Sequence, residues 1–319
     1  MVQTVNQTLR DEMRRNGNMV VLGEDVGRDG GVFRATEGLL EEFGGERVVD
    51  TPLAEDAIVG MAIGMALYGL QPVAEIQFMD FIYPAFNEIV SELAKLRYRS
   101  GGQYQAHVVI RTPYGGGVKG GHYHSQSTEA YFVHTPGLVV LTPSNPYDTR
   151  GLLLSAMRSP DPVIFLEPKR IYRTVKEEVP AEEYLVPIGS ARVVQEGSDV
   201  TLLSWGATVQ TCRQAVAQAQ AERLSVELID LRSLLPFDIE TVIRSVRKTG
   251  RVVVAHEATK IGGFGAEISA QINERAIDSL EAPILRVAGY DTPFPYALEG
   301  VYLPSPERIL RAVRKASSY

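Results

Sequence analysis

Short apolar runs alternate with longer amphipathic or uncharged stretches along the whole chain, the pattern of strands alternating with helices. The first residues, Met1-Val2-Gln3-Thr4, open a polar amphipathic helix. Met19–Leu22 reads as the first strand, and the segment Gly23–Phe33 after it carries too many glycines and charges for a packed element. A helix over Thr36–Phe43, a strand over Arg47–Val49 and a long uncharged helix over Ala57–Leu70 come next. Further strands are expected over Pro72–Gln77, His107–Arg111, Leu138–Thr142 and Pro162–Leu166. A helix is expected from Ala85 to Tyr98, with Lys95, Arg97 and Arg99 crowding its end, where cations suit the dipole. Another starts at Ser144-Asn145-Pro146, where proline costs no hydrogen bond.

Between Glu167 and Pro187 the chain turns polar, with Pro168, Pro180 and Pro187 and two acidic pairs, and reads as a surface linker. The alternation then resumes. Strands are expected at Val200–Ser204, Val226–Asp230, Arg251–Ala255 and Ile284–Val287, and a loop from His256 to Gly265. Helices are expected over Thr208–Glu222, Asp238–Thr249, from Gly265 to Ile277 and after Ser305-Pro306; Asp238 is the N-cap and Gly250 the stop of the second of these. Strands separated by helices imply parallel βαβ connections, so the fold class is α/β with two open doubly wound domains, residues 1–180 and 187–319.

Composition narrows the class. With 45% hydrophobic residues over 319 positions, two substantial cores can be built. A formal charge of -7 argues against a nucleic-acid partner. One cysteine, Cys212, excludes an internal disulfide framework and a cysteine-based zinc site. The longest uncharged run is too short to span a bilayer, and the N-terminus lacks the basic start and apolar run of a secretory signal, so no membrane partner and a cytoplasmic location are expected. Within that run, Gly60-x-x-x-Gly64 puts two residues without a Cβ on one helix face, against which a second helix, of this chain or of a partner subunit, is expected.

Ligands of such sheets bind beyond the C-terminal ends of strands. That rule selects the loops after Val49, Gln77, Arg111, Ser204 and Ala255. In the first, Pro52 stiffens the approach to Glu55, whose carboxylate either caps the apolar helix or faces a ligand. The loop after Arg111 runs Gly115-Gly116-Gly117-Val118-Lys119-Gly120-Gly121 into His122-Tyr123-His124, and its glycines allow close approach to a ligand. It is no P-loop, and no Gly-x-Gly-x-x-Gly follows the first strand. His122-x-His124 lacks a third metal ligand of clear spacing; an acid/base or orienting histidine at the loop tip is preferred, against a structural one. His107, His134 and His256 read as structural, and Cys212 as core. Phe78, Phe81, Tyr83 and Phe86 are packing or one wall of a pocket for a planar ligand.

Several blocks together resemble the E1 β subunits of 2-oxo acid dehydrogenase complexes: Gly30–Arg34, Thr51–Glu55, Ala74–Phe78, Tyr98–Gly101, Tyr123–Ala130 and Gly289–Pro295. The resemblance covers essentially the whole chain in order. It implies a pyrimidine-binding domain followed by a transketolase C-terminal-type domain, an α2β2 assembly with E1 α subunits, and thiamine diphosphate at the α–β interface. By this similarity Glu55 hydrogen-bonds N1′ of the aminopyrimidine, favouring the tautomer whose amine can take the cofactor's C2 proton. Leu53, Gln77 and Phe81 line the aminopyrimidine pocket, and His124 stands at the reacting centre and serves acyl transfer to the lipoyl group of the E2 acyltransferase. Phe81 departs from the tyrosine of many relatives, which keeps stacking and loses a phenolic hydrogen bond. The Gly-Asp-Gly motif that anchors Mg²⁺ and the diphosphate in this superfamily is missing, since Arg28 precedes Asp29-Gly30, so the α subunit is expected to hold them. A structural K⁺ is left open.

Tyr123–Ser127 and Gly289–Pro295 look more like branched-chain than pyruvate enzymes, with pyruvate and acetoin dehydrogenases as alternatives. Two other classes stand beside this reading. One is a non-catalytic scaffolding subunit, in which Glu55 only caps and His124 is structural; the other, a self-sufficient enzyme with another cofactor, lacks its nucleotide fingerprint.

Overall fold

In the computed structural model, which describes residues 1–319, the alternation closes into two sheets with helices on both faces. The first half comprises α1 (Val2–Arg15), β1 (Met19–Gly23), α2 (Leu39–Phe43), β2 (Val48–Asp50), α3 (Glu55–Leu67), β3 (Gln71–Glu75), α4 (Leu96–Arg99), β4 (Val109–Tyr114), α5 (Glu129–Val133), β5 (Val139–Leu141), α6 (Pro146–Met157) and β6 (Val163–Pro168). The second comprises β7 (Arg192–Gln195), β8 (Val200–Ser204), α7 (Thr208–Ala221), β9 (Val226–Asp230), β10 (Ser233–Leu235), α8 (Ile239–Thr249), β11 (Val252–Thr259), α9 (Phe264–Ala276), β12 (Leu285–Gly289), α10 (Glu299–Tyr302) and α11 (Pro306–Ser317).

A seven-stranded sheet runs β10-β5-β6-β4-β3-β1-β2 and a five-stranded one β12-β11-β8-β9-β7. All pairings are parallel except β10 with β5 and β7 with β9, each an antiparallel edge. The inner parallel strands are buried on both faces, which is why they read as continuous apolar runs. Neither antiparallel strand was expected. β10 comes from the second half of the chain, pairs Ser233 with Leu141, and so completes the first sheet. Three residues show no period, and the partner that makes them a strand lies in the other domain.

Both ends of α8 are as expected: Asp238 accepts the Thr241 amide, and Gly250 stops the helix at φ 65. Asn145 and Ser305 likewise cap α6 and α11, accepting the amides of Asp148 and Arg308. Other stretches differ. Residues 83–99 form a broken series in which the wide turn Glu88–Glu92 interrupts α-helical winding, letting Ile89, Leu93, Ala94 and Leu96 all reach the core. α2 is shortened to Leu39 because Gly38 takes φ 75. The expected linker begins inside the fold: Glu167 and Pro168 belong to β6, and Lys169, Ile171 and Tyr172 are buried. β11 runs on through His256 and Glu257, which were expected in a loop.

One apolar core passes from the first sheet to the second, joining Ile110, Ile164 and Tyr114 to Leu203, Trp205, Val254 and Phe264. Separate cores lie under α1 and α6 and under α7 and α11. The halves meet closely at Gly206, where φ is 55 and an added Cβ would collide with the Tyr114 hydroxyl. No helix is long and apolar enough to cross a membrane.

Candidate active site

The loops after β1, β2, β3 and β4 converge at one edge of the first sheet. Asp50, at the end of β2, accepts the amides of Gly27 at 2.6 Å and Arg28 at 3.0 Å, which ties the first two loops together. Thr51–Ala54 then lead into α3, whose N-cap is Ala54, with no side-chain cap. Glu55 is the first residue of that helix, 8% exposed, and its carboxylate makes no hydrogen bond within the chain. The capping alternative is therefore not realised. A carboxylate in that position keeps its acceptors free beside the positive end of a helix. Burial, then the charges of Glu55 and Asp25, raise Glu24 above the usual carboxylate range, so this edge gathers acidic groups.

Beyond β3 stands an aromatic wall. The Phe78 ring lies edge-on to Phe81 at 5.5 Å and to His124 at 4.8 Å, and Phe81 meets His124 at 5.2 Å. Phe33, from the glycine-rich loop after β1, extends the wall at 5.4 Å from Phe78. Gln77 lies past the end of β3 and donates to Asp25 at 2.9 Å. Leu53 projects outward on the Glu55 loop, 78% exposed. Phe81 and His124 are thus in contact, Gln77 joins the loops after β1 and β3, and Leu53 faces open solvent in the chain by itself.

Residues absent from the sequence reading hold this arrangement. Asp80, between Phe78 and Phe81, accepts the amides of Ser125 at 3.3 Å and Gln126 at 3.1 Å, immediately after His124. Its position in the aromatic run was the available signal. Lys169 places its ammonium 5.3 Å from the Phe78 ring centre, is 4% exposed, and is pulled down to about 8 by burial. The glycine loop differs from the expectation: its amides at Gly116, Gly117 and Lys119 face Glu257 and Glu299 of the second half of the chain. Beneath the site Arg111 bridges Glu75 at 2.8 Å and Glu167 at 2.7 Å, all three fully or nearly buried, and the Tyr172 hydroxyl donates to Glu167.

The remaining candidates sort by burial. His256 is completely buried and stacked on Trp205 at 5.1 Å, and burial pushes it down to about 4. His107 bonds Ser159 and Gln105 at 2.8 and 2.7 Å. Cys212 is buried in α7, its thiol pushed up to about 12. No group of three or more His, Cys, Asp or Glu side chains is placed to hold a metal ion.

Residues 1–175 match the model of the transketolase pyrimidine-binding domain, and residues 189–309 that of the transketolase C-terminal domain. Over its full length the chain is 53% identical to the mitochondrial 2-oxoisovalerate dehydrogenase subunit beta of Dictyostelium discoideum, covering 86% of that protein. It is 48% identical to the 2-oxoisovalerate dehydrogenase subunit beta of Bacillus subtilis, again over 100% of the chain and 98% of the relative. The chain belongs to the E1 β subunits of 2-oxo acid dehydrogenases. The pyruvate dehydrogenase E1 component subunit beta of Bacillus subtilis is almost as similar, at 47% identity over 100% of the chain and 98% of that protein. Among solved structures, a split-gene transketolase described as an inactive β4 tetramer superposes with a TM-score of 0.82 at 25% identity, over 99% of this chain and 97% of that one.

Membership of this E1 β family makes the chain part of an oxidoreductase, and implies thiamine diphosphate and an α-subunit partner. The residues present fit the pyrimidine half of that cofactor: a largely buried Glu55 whose carboxylate has no partner within the chain, on the same sheet edge as a wall of aromatic rings.

Proposed function

We propose that this E1 β subunit acts in the oxidative decarboxylation of a branched-chain 2-oxo acid and in acyl transfer to the lipoyl group of E2. The observation that carries the reading is Glu55, buried at the first turn of α3 without a hydrogen-bond partner of its own. Thiamine diphosphate bound here supplies a carbanion-stabilising centre for the 2-oxo acid. Glu55 holds a proton at N1′ of the aminopyrimidine, Phe81 packs against the ring, and Gln77 and Leu53 line its pocket. Leu53, exposed in the single chain, becomes covered when the α subunit docks. His124, braced by Phe78 and Phe81, faces the reacting carbon and the incoming lipoyl group.

The diphosphate and Mg²⁺ fall to the α subunit, since hard cations take several oxygen ligands. A K⁺ ion, if bound, is structural in this reading. The division of the chain at 1–180 and 187–319 follows the two sheets, except that β10 crosses into the first. The α2β2 form supplies the missing half of the site. The scaffolding alternative has no use for a buried, unpaired Glu55.

For the substrate, the branched-chain reading draws on the 53% identity with the Dictyostelium 2-oxoisovalerate dehydrogenase subunit, with 47% to the Bacillus subtilis pyruvate enzyme as the competitor. Co-expression with the α chain and comparison of kcat/KM for 3-methyl-2-oxobutanoate and pyruvate separates them. Preference for pyruvate replaces the substrate while leaving the enzyme class; no decarboxylation of either replaces the class.

A further inference from the structure

The loop that carries His124 is gripped at both ends by carboxylates. Upstream of the histidine, Glu257 accepts the Gly116 amide, and Glu299 accepts those of Gly117 at 3.1 Å and Lys119 at 3.0 Å. Downstream, Asp80 accepts the Ser125 and Gln126 amides. Gly115 at φ 79, Gly117 at φ 104 and Lys119 at φ 54 all take the left-handed region, which turns neighbouring N–H groups toward one side. Such a row of amides is an anion cradle, and here the anions are the chain's own side chains.

Asp80, Glu257 and Glu299 are all buried and call for a counter-charge. Lys169 supplies it: its ammonium is buried without a hydrogen-bond partner, and the charges acting on it are those of Asp80, Glu257 and Glu299. Arg170, 3.7 Å from Glu257, adds a second cation, and a Cβ at Gly117 would strike its side chain. The loop is therefore bounded on the β6 side as well. Between the two grips the chain has little slack, because Gly120 packs against the Cβ of His124 so closely that any side chain there would collide.

We propose that Glu257 and Glu299 are positioning residues for His124, so that the second domain sets the place of a histidine carried by the first. The proposal rests on the functional reading of His124 given above. Both carboxylates act on backbone amides of the loop upstream of His124. Hydrogen bonds from amides to a carboxylate are roughly twice as strong as neutral ones, and losing them frees the loop while leaving the aromatic wall and Glu55 in place.

The test uses the enzyme assembled with its α subunit and the variants Glu299→Ala, Glu299→Gln, His124→Ala and Glu299→Ala/His124→Ala. Amide hydrogen exchange at Gly117 and Lys119 is read beside separate rates of 2-oxo acid decarboxylation and lipoyl acylation. In Glu299→Ala the two amides exchange at least about tenfold faster and acylation falls about tenfold, with cofactor affinity unchanged. Glu299→Gln, which keeps one acceptor and the side-chain volume, restores part of both and stands in should the alanine variant fail to assemble. The double variant loses no more acylation than His124→Ala alone, because residues acting through one group are not additive. Unchanged exchange, or additive losses in the double variant, overturns the positioning role. Full acylation by His124→Ala overturns instead the reading of His124 beneath it.

Discussion

The indole N–H of Trp205, just past the end of β8, donates to the carboxyl group of Glu129, at the start of α5, at 3.1 Å. Trp205 also stacks on His256, so one tryptophan joins two buried titratable groups across the interface between the sheets. Burial lifts Glu129 to about 7 and lowers His256 to about 4, and both therefore favour their neutral forms.

The two groups give opposite pH dependence. Glu129 binds a proton more tightly folded than unfolded, so its contribution is full below pH 4.5 and is lost as pH rises through 7. His256 binds one less tightly, so its contribution is full above pH 6.5 and is lost as pH falls through 4. Glu129→Gln should remove the first effect, making stability rise more steeply between about pH 5 and 7, by roughly 1.4 kcal/mol per pH unit at most. Urea midpoints of the chain, followed through its single tryptophan, check this; an unchanged slope would show that Glu129 is already ionised.

Arg111 is completely buried between Glu75 and Glu167, which together hold its guanidinium in the charged form well above its ordinary range. Arg111→Met leaves two buried carboxylates facing each other and should destabilise the chain by about 3–5 kcal/mol. Adding Glu75→Gln and Glu167→Gln to it should recover most of the loss. Chemical denaturation of the two variants measures both, and a triple variant no better than Arg111→Met would mean that the loss lies in packing.

Glu55→Gln, reconstituted with the α subunit, should fold and assemble normally while 2-oxo acid decarboxylation falls by about 10²–10⁴, the range for a lost acid/base contact. Single-turnover decarboxylation at saturating cofactor gives the number. Wild-type activity in that variant would turn Glu55 back into an ordinary helix-end residue.

Along α3, Gly60, Met61, Gly64, Leu67 and Tyr68 are exposed, and a Cβ added at Gly60 or Gly64 would meet nothing within 4 Å in the chain. The expected second helix is therefore not supplied by this chain, and the prediction is that a partner subunit packs there. Gly60→Ala should stabilise the isolated chain by about 0.5–1 kcal/mol, whereas Gly64→Leu should weaken subunit association at least about tenfold through steric overlap at a close helix contact. Sedimentation of the mixed subunits reads the second effect, and unaltered association would place the partner elsewhere.

The sequence alone determined the α/β class and the order of the parallel strands along the chain, because a parallel strand buried on both faces writes itself as an apolar run and caps such as Asp238 and Ser305 act over three residues. It also singled out Glu55 and His124 as candidates, while leaving open whether Glu55 caps its helix. Only the tertiary structure decided that it does not, that β10 belongs to the other domain's sheet, and that the glycine loop holds the carboxylates of Glu257 and Glu299. Each of those outcomes depends on atoms far apart in the chain meeting in space. Local periodicity and spacing report what a residue does to its neighbours in sequence; a buried charge is placed by partners from other elements, as Arg111 is by Glu75 and Glu167.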